Sequence, residues 1–231
     1  MPSSPTPLSK LPAFDPRQVP VIRHDAHMPA VDGGRLQAEA LRQRFARPPE
    51  WQPEVVRERR FSGREPALAA VLVGIVTRPQ PTVLLTRRTA HLSTHSGQVA
   101  FPGGKVDDTD TSTAETALRE AQEEVGLDPR HVEVLGTLSE YITGTAFIVT
   151  PVVALIEPGH AIVPNPHEVD EVFEVPLAFL MNPAHHRRHA FEAEGVRREW
   201  FSMPYDDQGR ERFIWGATAG MLRNLYRFLS A

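Results

Sequence analysis

Apolar positions fall along this chain in blocks whose spacing changes, and the changes predict the elements. From Pro66 to Val76 (PALAAVLVGIV) the run is almost wholly apolar, too short for a membrane and β-branched toward its end, which predicts a buried strand. Pro79-Gln80-Pro81 marks a turn, and Thr82–Thr86 predicts the next strand. Ala114, Ala117, Leu118, Ala121 and Val125 then recur at helical spacing, and Gly126 stops that helix. His131–Leu138 and Phe147–Ile156 read as strands with a loop at Tyr141–Thr145 between them. Glu171–Val175 is another strand, followed by a short helix from Leu177 to Met181. A hairpin is expected around Ala190–Phe191 and Arg198–Met203. Gly216–Leu229 is an amphipathic closing helix with Leu222, Leu225, Tyr226 and Leu229 inward. The class is α/β.

Before Pro66 the pattern weakens. Residues 1–33 are proline-rich and polar, which predicts an extended or partly disordered arm. Its His24, Asp25 and His27 read as mobile surface. Residues 34–64 hold one short helix, Arg35–Ala46, and a linker. Leu36, Leu41 and Phe45 would pack that helix on the domain or across a subunit interface. The main domain is expected over 65–231. Its run His185-His186-Arg187-Arg188-His189 reads as an exposed loop, since consecutive residues rarely converge on one ligand.

The chemistry concentrates in residues 97–127. Glu120, Glu123 and Glu124 stand at i, i+3 and i+4, one face of the predicted helix. Such a cluster is often only a solvated face, and left alone it is repulsive. A hard divalent cation, Mg²⁺ or Mn²⁺, removes the repulsion and is commonly used to hold substrate phosphates. Upstream, Phe101-Pro102-Gly103-Gly104 is a turn whose glycines allow close backbone approach. Ser112-Thr113-Ala114-Glu115 reads as a capping box at the helix start. Arg119 is placed to orient a carboxylate by charge-assisted hydrogen bonds.

Composition narrows the classes. A net charge of −4 argues against binding nucleic acid by phosphate neutralisation. With no cysteine there is neither disulfide, thiol nucleophile nor thiolate metal site. No membrane-spanning run or signal-peptide core is present, so a cytoplasmic protein without membrane partners is expected. Residues 1–64 hold too little periodicity for an appended helix-turn-helix.

Loop, helix, carboxylate face and glycine stop, in this order, resemble the Nudix box, G-x5-E-x7-R-E-U-x-E-E-x-G-U, where U is aliphatic. Arg119-Glu120-Ala121-Gln122-Glu123-Glu124-Val125-Gly126-Leu127 matches its second half throughout. The first half departs: Gly104 and Arg119 are fifteen apart rather than fourteen, and no glutamate stands at the expected place. Asp110 lies six after Gly104, and Glu115 is the only glutamate between them and Arg119. The resemblance implies an α/β/α sandwich with a mixed sheet and a metal-dependent hydrolase of nucleoside diphosphate derivatives. It implies Glu120 and Glu124 as principal metal ligands, Glu123 nearer the water or a second metal, and the Gly104 carbonyl as a backbone ligand. It further implies a base from a later loop, Glu168 first and Glu171 second.

A second pattern narrows the family. Leu84-Leu85-Thr86-Arg87-Arg88-Thr89, Gly97 and Phe101-Pro102-Gly103-Gly104 resemble the coenzyme A pyrophosphatase signature L-L-T-x-R-[SA]-x3-R-x3-G-x3-F-P-G-G, with Ser93 where that has its second arginine. Phe213–Ala219 is similar to the same subfamily's approach to its last helix. The reaction this resemblance implies is hydrolysis of coenzyme A to 3′,5′-ADP and 4′-phosphopantetheine. Arg87, Arg88, His91, His95 and Lys105 are the candidate phosphate contacts, with Arg87 and Arg88 on opposite strand faces. A homodimer is compatible with the resemblance. The rival readings are a broader pyrophosphatase on ADP-ribose or NADH, and a non-catalytic nucleotide sensor.

Overall fold

A computed structural model describes residues 15–58, 65–89, 97–193 and 196–231. In chain order the strands are β1 Val21–His24, β2 Ala67–Val76, β3 Thr82–Arg88, β4 Val99–Ala100, β5 Gly103–Lys105 and β6 Val132–Thr137. There follow β7 Tyr141–Ile142, β8 Phe147–Ile156, β9 Val169–Pro176, β10 Arg187–Ala193, β11 Val196–Asp207 and β12 Arg210–Trp215. The helices are α1 Ala38–Ala46, α2 Thr113–Val125, α3 Leu177–Leu180 and α4 Gly216–Ser230.

The spine is the parallel pair β2 and β8, matched residue for residue from Ala67 opposite Phe147 to Val76 opposite Ile156. Both strands read as continuous apolar runs because both faces are covered. Side-chain alternation sorts them into two cores. Ala70, Leu72 and Val76 of β2, Leu84 of β3 and Val152, Ala154 and Ile156 of β8 face Ala117, Ala121 and Val125 of α2. Val73, Ile75, Val83, Leu85, Val153 and Leu155 point the other way, into a core with Leu222, Leu225 and Leu229 of α4. The small residues on α2 let that helix lie close to the sheet. Burying each leucine of these layers contributes about 2 kcal/mol of transfer free energy. Antiparallel strands extend the spine: β3 on β2, β9 on β3, and β6 on β8. The result is a mixed sheet between helical layers, as expected. Among the described residues no helix is long and apolar enough to cross a membrane.

A second, antiparallel sheet runs β1-β10-β11-β12. Its Phe201, Met203 and Ile214 join the α4 core. The hairpin is larger than expected. Residues 210–215, which the apolar pattern does not predict as strand, form β12 after a tight turn in which Gln208 and Gly209 both take positive φ, 54° and 89°. That is the requirement of a two-residue hairpin turn compatible with strand twist, and Asp206 caps it by accepting from the Gly209 N–H at 2.7 Å. Tyr141–Ile142, expected as loop, pairs with β8 as β7. The helix expected from Arg35 begins instead with a 3-10 turn at Gly33–Leu36, and α1 starts at Ala38. It packs on its own domain: the Phe45 ring lies 4.7 Å from Phe228, which Trp51 also touches.

Two surface expectations are overturned together. Asp25 is wholly buried, and so are His186 and His189 of the supposed exposed loop. Asp25 meets Arg223 at 3.0 Å, Arg188 at 3.2 Å and Arg23 at 2.8 Å. Arg223 also reaches Glu54 at 2.7 Å and donates to His186 Nδ1 at 3.0 Å. His186 Nε2 lies 2.8 Å from the Leu180 carbonyl. An arginine only donates and a carbonyl only accepts, so this imidazole is neutral; burial pushes its pKa down to about 4. Opposite charges from distant segments make burial tolerable, and the network fastens β1 and the 47–58 linker to β10 and α4. Burial alone would raise the pKa of Asp25, but Arg188 and Arg223 outweigh it and hold the carboxyl below its ordinary 3.8. Glu54 is held low in the same way, burial being outweighed by Arg223 and Arg188.

A lowered folded pKa gives stabilisation that is present above the unfolded value and lost as pH falls through the folded one. Asp25→Ala, which takes a buried carboxylate away from Arg223 and Arg188, is expected to cost about 3–5 kcal/mol. Urea unfolding followed against pH checks both parts: a lower midpoint at pH 7, and a weaker loss of stability below about pH 4 than the parent shows.

Candidate functional site

The helix that carries the carboxylates is fixed at both ends. Ser112 caps it, its Oγ accepting from the Glu115 N–H at 3.1 Å. Glu115 does not close the expected reciprocal bond; its carboxylate takes the Thr111 N–H at 2.7 Å and the Thr111 hydroxyl at 2.5 Å. Gly126 ends the helix with φ 69°, a left-handed conformation that glycine adopts without strain. Between these ends Glu120 and Glu124 turn toward β5 and β3, while Glu123 is 56% exposed.

Glu124 is buried. Its carboxylate accepts from the Gly103 N–H at 3.2 Å and faces Arg88 at 3.4 Å. Burial pushes its pKa up to about 7; the Gly103 N–H and Arg88 oppose the rise, and the charges of Glu168 and Glu120 add to it. Glu120 is raised as well, by burial first, with Arg119 opposing and Glu123 and Glu168 reinforcing. Its carboxyl group occupies the space a side chain on residue 104 would fill, so a larger residue there would push the Glu120 carboxylate out of this position.

Arg119 organises this face. It grips Asp110 in two parallel bonds of 3.0 and 2.9 Å and donates to Glu120 at 2.9 Å. Glu123 at 3.3 Å and the Lys105 carbonyl at 3.1 Å complete its contacts. Asp110 also accepts from the Thr116 hydroxyl and the Asp107 N–H, both at 2.9 Å, and the arginine holds its carboxyl well below the usual range. Asp110 therefore does the orienting work for which the pattern has a glutamate. Its spacing from Gly104 was the visible signal, but the inserted residue and the shorter side chain obscured it.

The remaining candidates divide. Asn165 donates to Glu124's carbonyl at 2.8 Å and to a Glu168 carboxylate oxygen at 3.2 Å, tying the 163–169 loop to the end of α2. Glu168 thus stands within electrostatic reach of Glu120 and Glu124. Glu171 does not: Arg210, Arg212 and Arg87 surround it on the opposite side of β9, which removes the second candidate for the base. Lys105 lays its ammonium 5.9 Å from the centre of the Phe147 ring, away from the carboxylates, and serves the site through its carbonyl. Arg87 pairs with Asp170 and Glu171, and Arg88 with Glu124. They part to opposite faces as expected: Arg88, in step with Leu84, reaches Glu124 of α2, while Arg87, in step with Leu85, reaches Asp170 and Glu171; the irregularity in the pairing falls on β9, where Asp170 is the extra residue. His91, Ser93 and His95 lie outside the described residues.

Two carboxylates that burial has pushed toward their neutral forms, packed against the backbone of Gly103 and Gly104, suit a hard divalent cation. Among the described residues no three acidic or imidazole groups already converge on one point; Arg119 and Arg88 draw Glu120 and Glu124 to separate sides. One or two carboxylates with substrate phosphate oxygens and water are a common donor set for Mg²⁺. The residues fit such an ion.

If Asp110 rather than Glu115 orients Arg119, the two substitutions will separate. Asp110→Ala is expected to lower metal-dependent turnover about 10–100-fold, the range for groups that orient a ligand. Glu115→Ala, which disturbs only the lead-in to the helix, keeps most activity. Steady-state kinetics with matched thermal melts reads the difference.

A family model described as NUDIX domain matches residues 66–201. Two relatives named "Uncharacterized Nudix hydrolase NudL", from Escherichia coli O7:K1 (strain IAI39 / ExPEC) and Escherichia coli (strain K12 / DH10B), are 48% and 47% identical over 158 residues, 68% of this chain and 80% of theirs. Among solved structures, a Nudix hydrolase from M. smegmatis, RenU, is 31% identical, covering 51% of this chain and 73% of its own at a TM-score of 0.41. With more than half its length inside the family model and close kinship to NudL across two thirds of it, the chain belongs to the Nudix hydrolase family.

Proposed function

We propose that the protein hydrolyses the pyrophosphate bond of coenzyme A and its derivatives, releasing 3′,5′-ADP and 4′-phosphopantetheine or its acylated form. Nudix hydrolases generally act on small nucleotide derivatives with divalent metal ions. The observation that carries the finer reading is the 3.4 Å contact between Arg88 and Glu124. It joins the arginine-bearing signature of β3 and the carboxylate box of α2 in one site, as an enzyme reading both motifs on a single substrate requires.

Glu120, Glu124 and the Gly104 carbonyl would hold Mg²⁺ or Mn²⁺. When bound, the ion neutralises phosphate oxygens and lowers the pKa of water, so that hydroxide is available near neutral pH. The protein's own groups do the rest. Arg119, locked by Asp110, keeps the Glu120 carboxylate in one orientation. Arg88 offsets negative charge beside Glu124, where pyrophosphate oxygens would lie. Glu168 is our choice for the base: Asn165 holds its Oε1, leaving Oε2 to take the proton of the attacking water. That water's oxygen bonds to one phosphorus, the bridging P–O bond breaks, and the bridging oxygen leaves with the other half.

Product chromatography of coenzyme A, ADP-ribose and NADH reactions, each with Mg²⁺ or Mn²⁺, tests this. Coenzyme A should be cleaved fastest, to 3′,5′-ADP. Glu124→Gln should lose more than about 100-fold, beyond what orienting groups give. Faster cleavage of ADP-ribose or NADH would keep the chemistry and sink the substrate assignment. No turnover of any of the three would sink the enzymatic reading in favour of a nucleotide sensor.

A further inference from the structure

The turn that seats Gly103 and Gly104 against the carboxylates hangs from β4, a strand of two residues. It pairs with β3 at Thr86 opposite Ala100 and Arg87 opposite Val99, and so short a ladder holds a chain weakly. Its other side is held from outside the sheet: the Thr218 hydroxyl, in the first turn of α4, donates to the Val99 carbonyl at 3.0 Å. We propose that Thr218 is a positioning residue for the carboxylate site, acting through β4 on the turn that meets Glu120 and Glu124. The inference rests on the metal-dependent reading above and names a distant residue on which the shape of that site depends.

The bond has a backbone reason. The Gln98 carbonyl accepts from the Arg88 N–H at 3.0 Å and so faces β3. In an extended strand the next carbonyl points the other way, which turns that of Val99 from β3 toward α4. Val99 and Thr218 are both buried, and a buried carbonyl left without a donor is costly. The hydroxyl of Thr218 meets that need.

From Val99 the path to the site is short. The Thr86 hydroxyl donates to the Ala100 carbonyl at 3.2 Å, Phe101 is buried in the α4 core, and the Pro102 carbonyl accepts from the Leu72 N–H at 2.8 Å. The next two residues are the glycines. The Gly103 N–H reaches Glu124 at 3.2 Å, and Gly104 lies against the Glu120 carboxyl group. Of these holds, Thr86 and Leu72 belong to the sheet itself, whereas Thr218 ties the strand to α4. That helix is a firm anchor. Further along it, Asn224 accepts from the Glu54 and Val55 N–H groups at 2.9 and 3.0 Å, and Arg223 pairs with Asp25 at 3.0 Å. Phe213–Ala219, singled out in the sequence only as a resemblance, thereby acquires a local task.

Titration calorimetry with Mn²⁺ alone on the full chain compares Thr218→Val, which keeps the side chain's shape without its hydroxyl, with Thr218→Ser, which keeps the hydroxyl. Thr218→Val should weaken Mn²⁺ binding about tenfold, the low end for groups that orient metal ligands, and Thr218→Ser less than about threefold. Thermal melts show which variants fold, and Thr218→Ala, a smaller deletion, stands in should Thr218→Val not fold. A residue that only filled the core would leave Mn²⁺ affinity unchanged in a folded variant. Parental affinity in folded Thr218→Val or Thr218→Ala, Thr218→Ser as weak as Thr218→Val, loss of folding in both deletions, or no Mn²⁺ binding by the parent overturns the proposal. The two readings fail separately. Mn²⁺ binding that depends on the hydroxyl, without coenzyme A turnover, keeps Thr218 in place and removes the proposed reaction. Coenzyme A turnover with Mn²⁺ affinity indifferent to Thr218→Val removes the positioning and leaves the hydrolase.

Discussion

Glu120 and Glu124 carry negative charge into a place where burial works against it, and the surrounding architecture answers that single difficulty. Glycines at 103 and 104 let the backbone approach closely enough for one N–H to reach Glu124 and for the Glu120 carboxylate to occupy the space a side chain on residue 104 would take. Arg119 and Arg88 supply partial compensation from opposite sides, and Arg119 is itself locked by Asp110. The compensation is incomplete, since both pKa values stay raised. A carboxylate fully satisfied by arginines would have little affinity left for a cation. One left half-satisfied keeps lone pairs that a hard divalent ion could complete.

The rigid support behind this face is the β2–β8 pair. Because the two strands are matched along their whole length, alternation sends one set of side chains to α2 and the other to α4 without a break. Small residues on α2 then set its height above the sheet, and with it the distance from its glutamates to β5. Far from the chemistry, the Asp25 network does a comparable job for the flanks. It joins β1, the linker and β10 to α4 by ionic contacts, where a short proline-rich segment has little apolar surface to bury.

Much of this was legible in the amino-acid order. The helix, its caps, the acidic face and the main strands follow from local rules, because each depends on residues a few positions apart. Asp110 was visible but carried no assigned role; only the fold shows that its carboxylate meets Arg119 from the far side of an enlarged turn. Asp25 and His186 looked like surface groups because the residue that makes their burial tolerable, Arg223, lies far along the chain from both. Strand β12 was missed because Asp206-Asp207-Gln208-Gly209 relies on a glutamine at positive φ, a weaker local signal than Asn-Gly. The contact of Thr218 with Val99 was illegible for the same reason as the ion network: the two residues lie far apart in the chain and meet only once α4 is folded against β4.

The slip in pairing between β3 and β9 has a further implication. A regular ladder shows consecutive residues to opposite sides, so two neighbouring arginines would ordinarily serve two different surfaces. Here β9 carries Asp170 as an extra residue, so the irregularity falls on β9 and β3 keeps its alternation: Arg88 meets Glu124 on the α2 side, and Arg87 meets Asp170 and Glu171 on the other. The length of β9 therefore acts as a setting in its own right. Removing Asp170 would close the bulge and take from Arg87 one of its two carboxylate partners, changing the charge at this end of the sheet without altering any arginine.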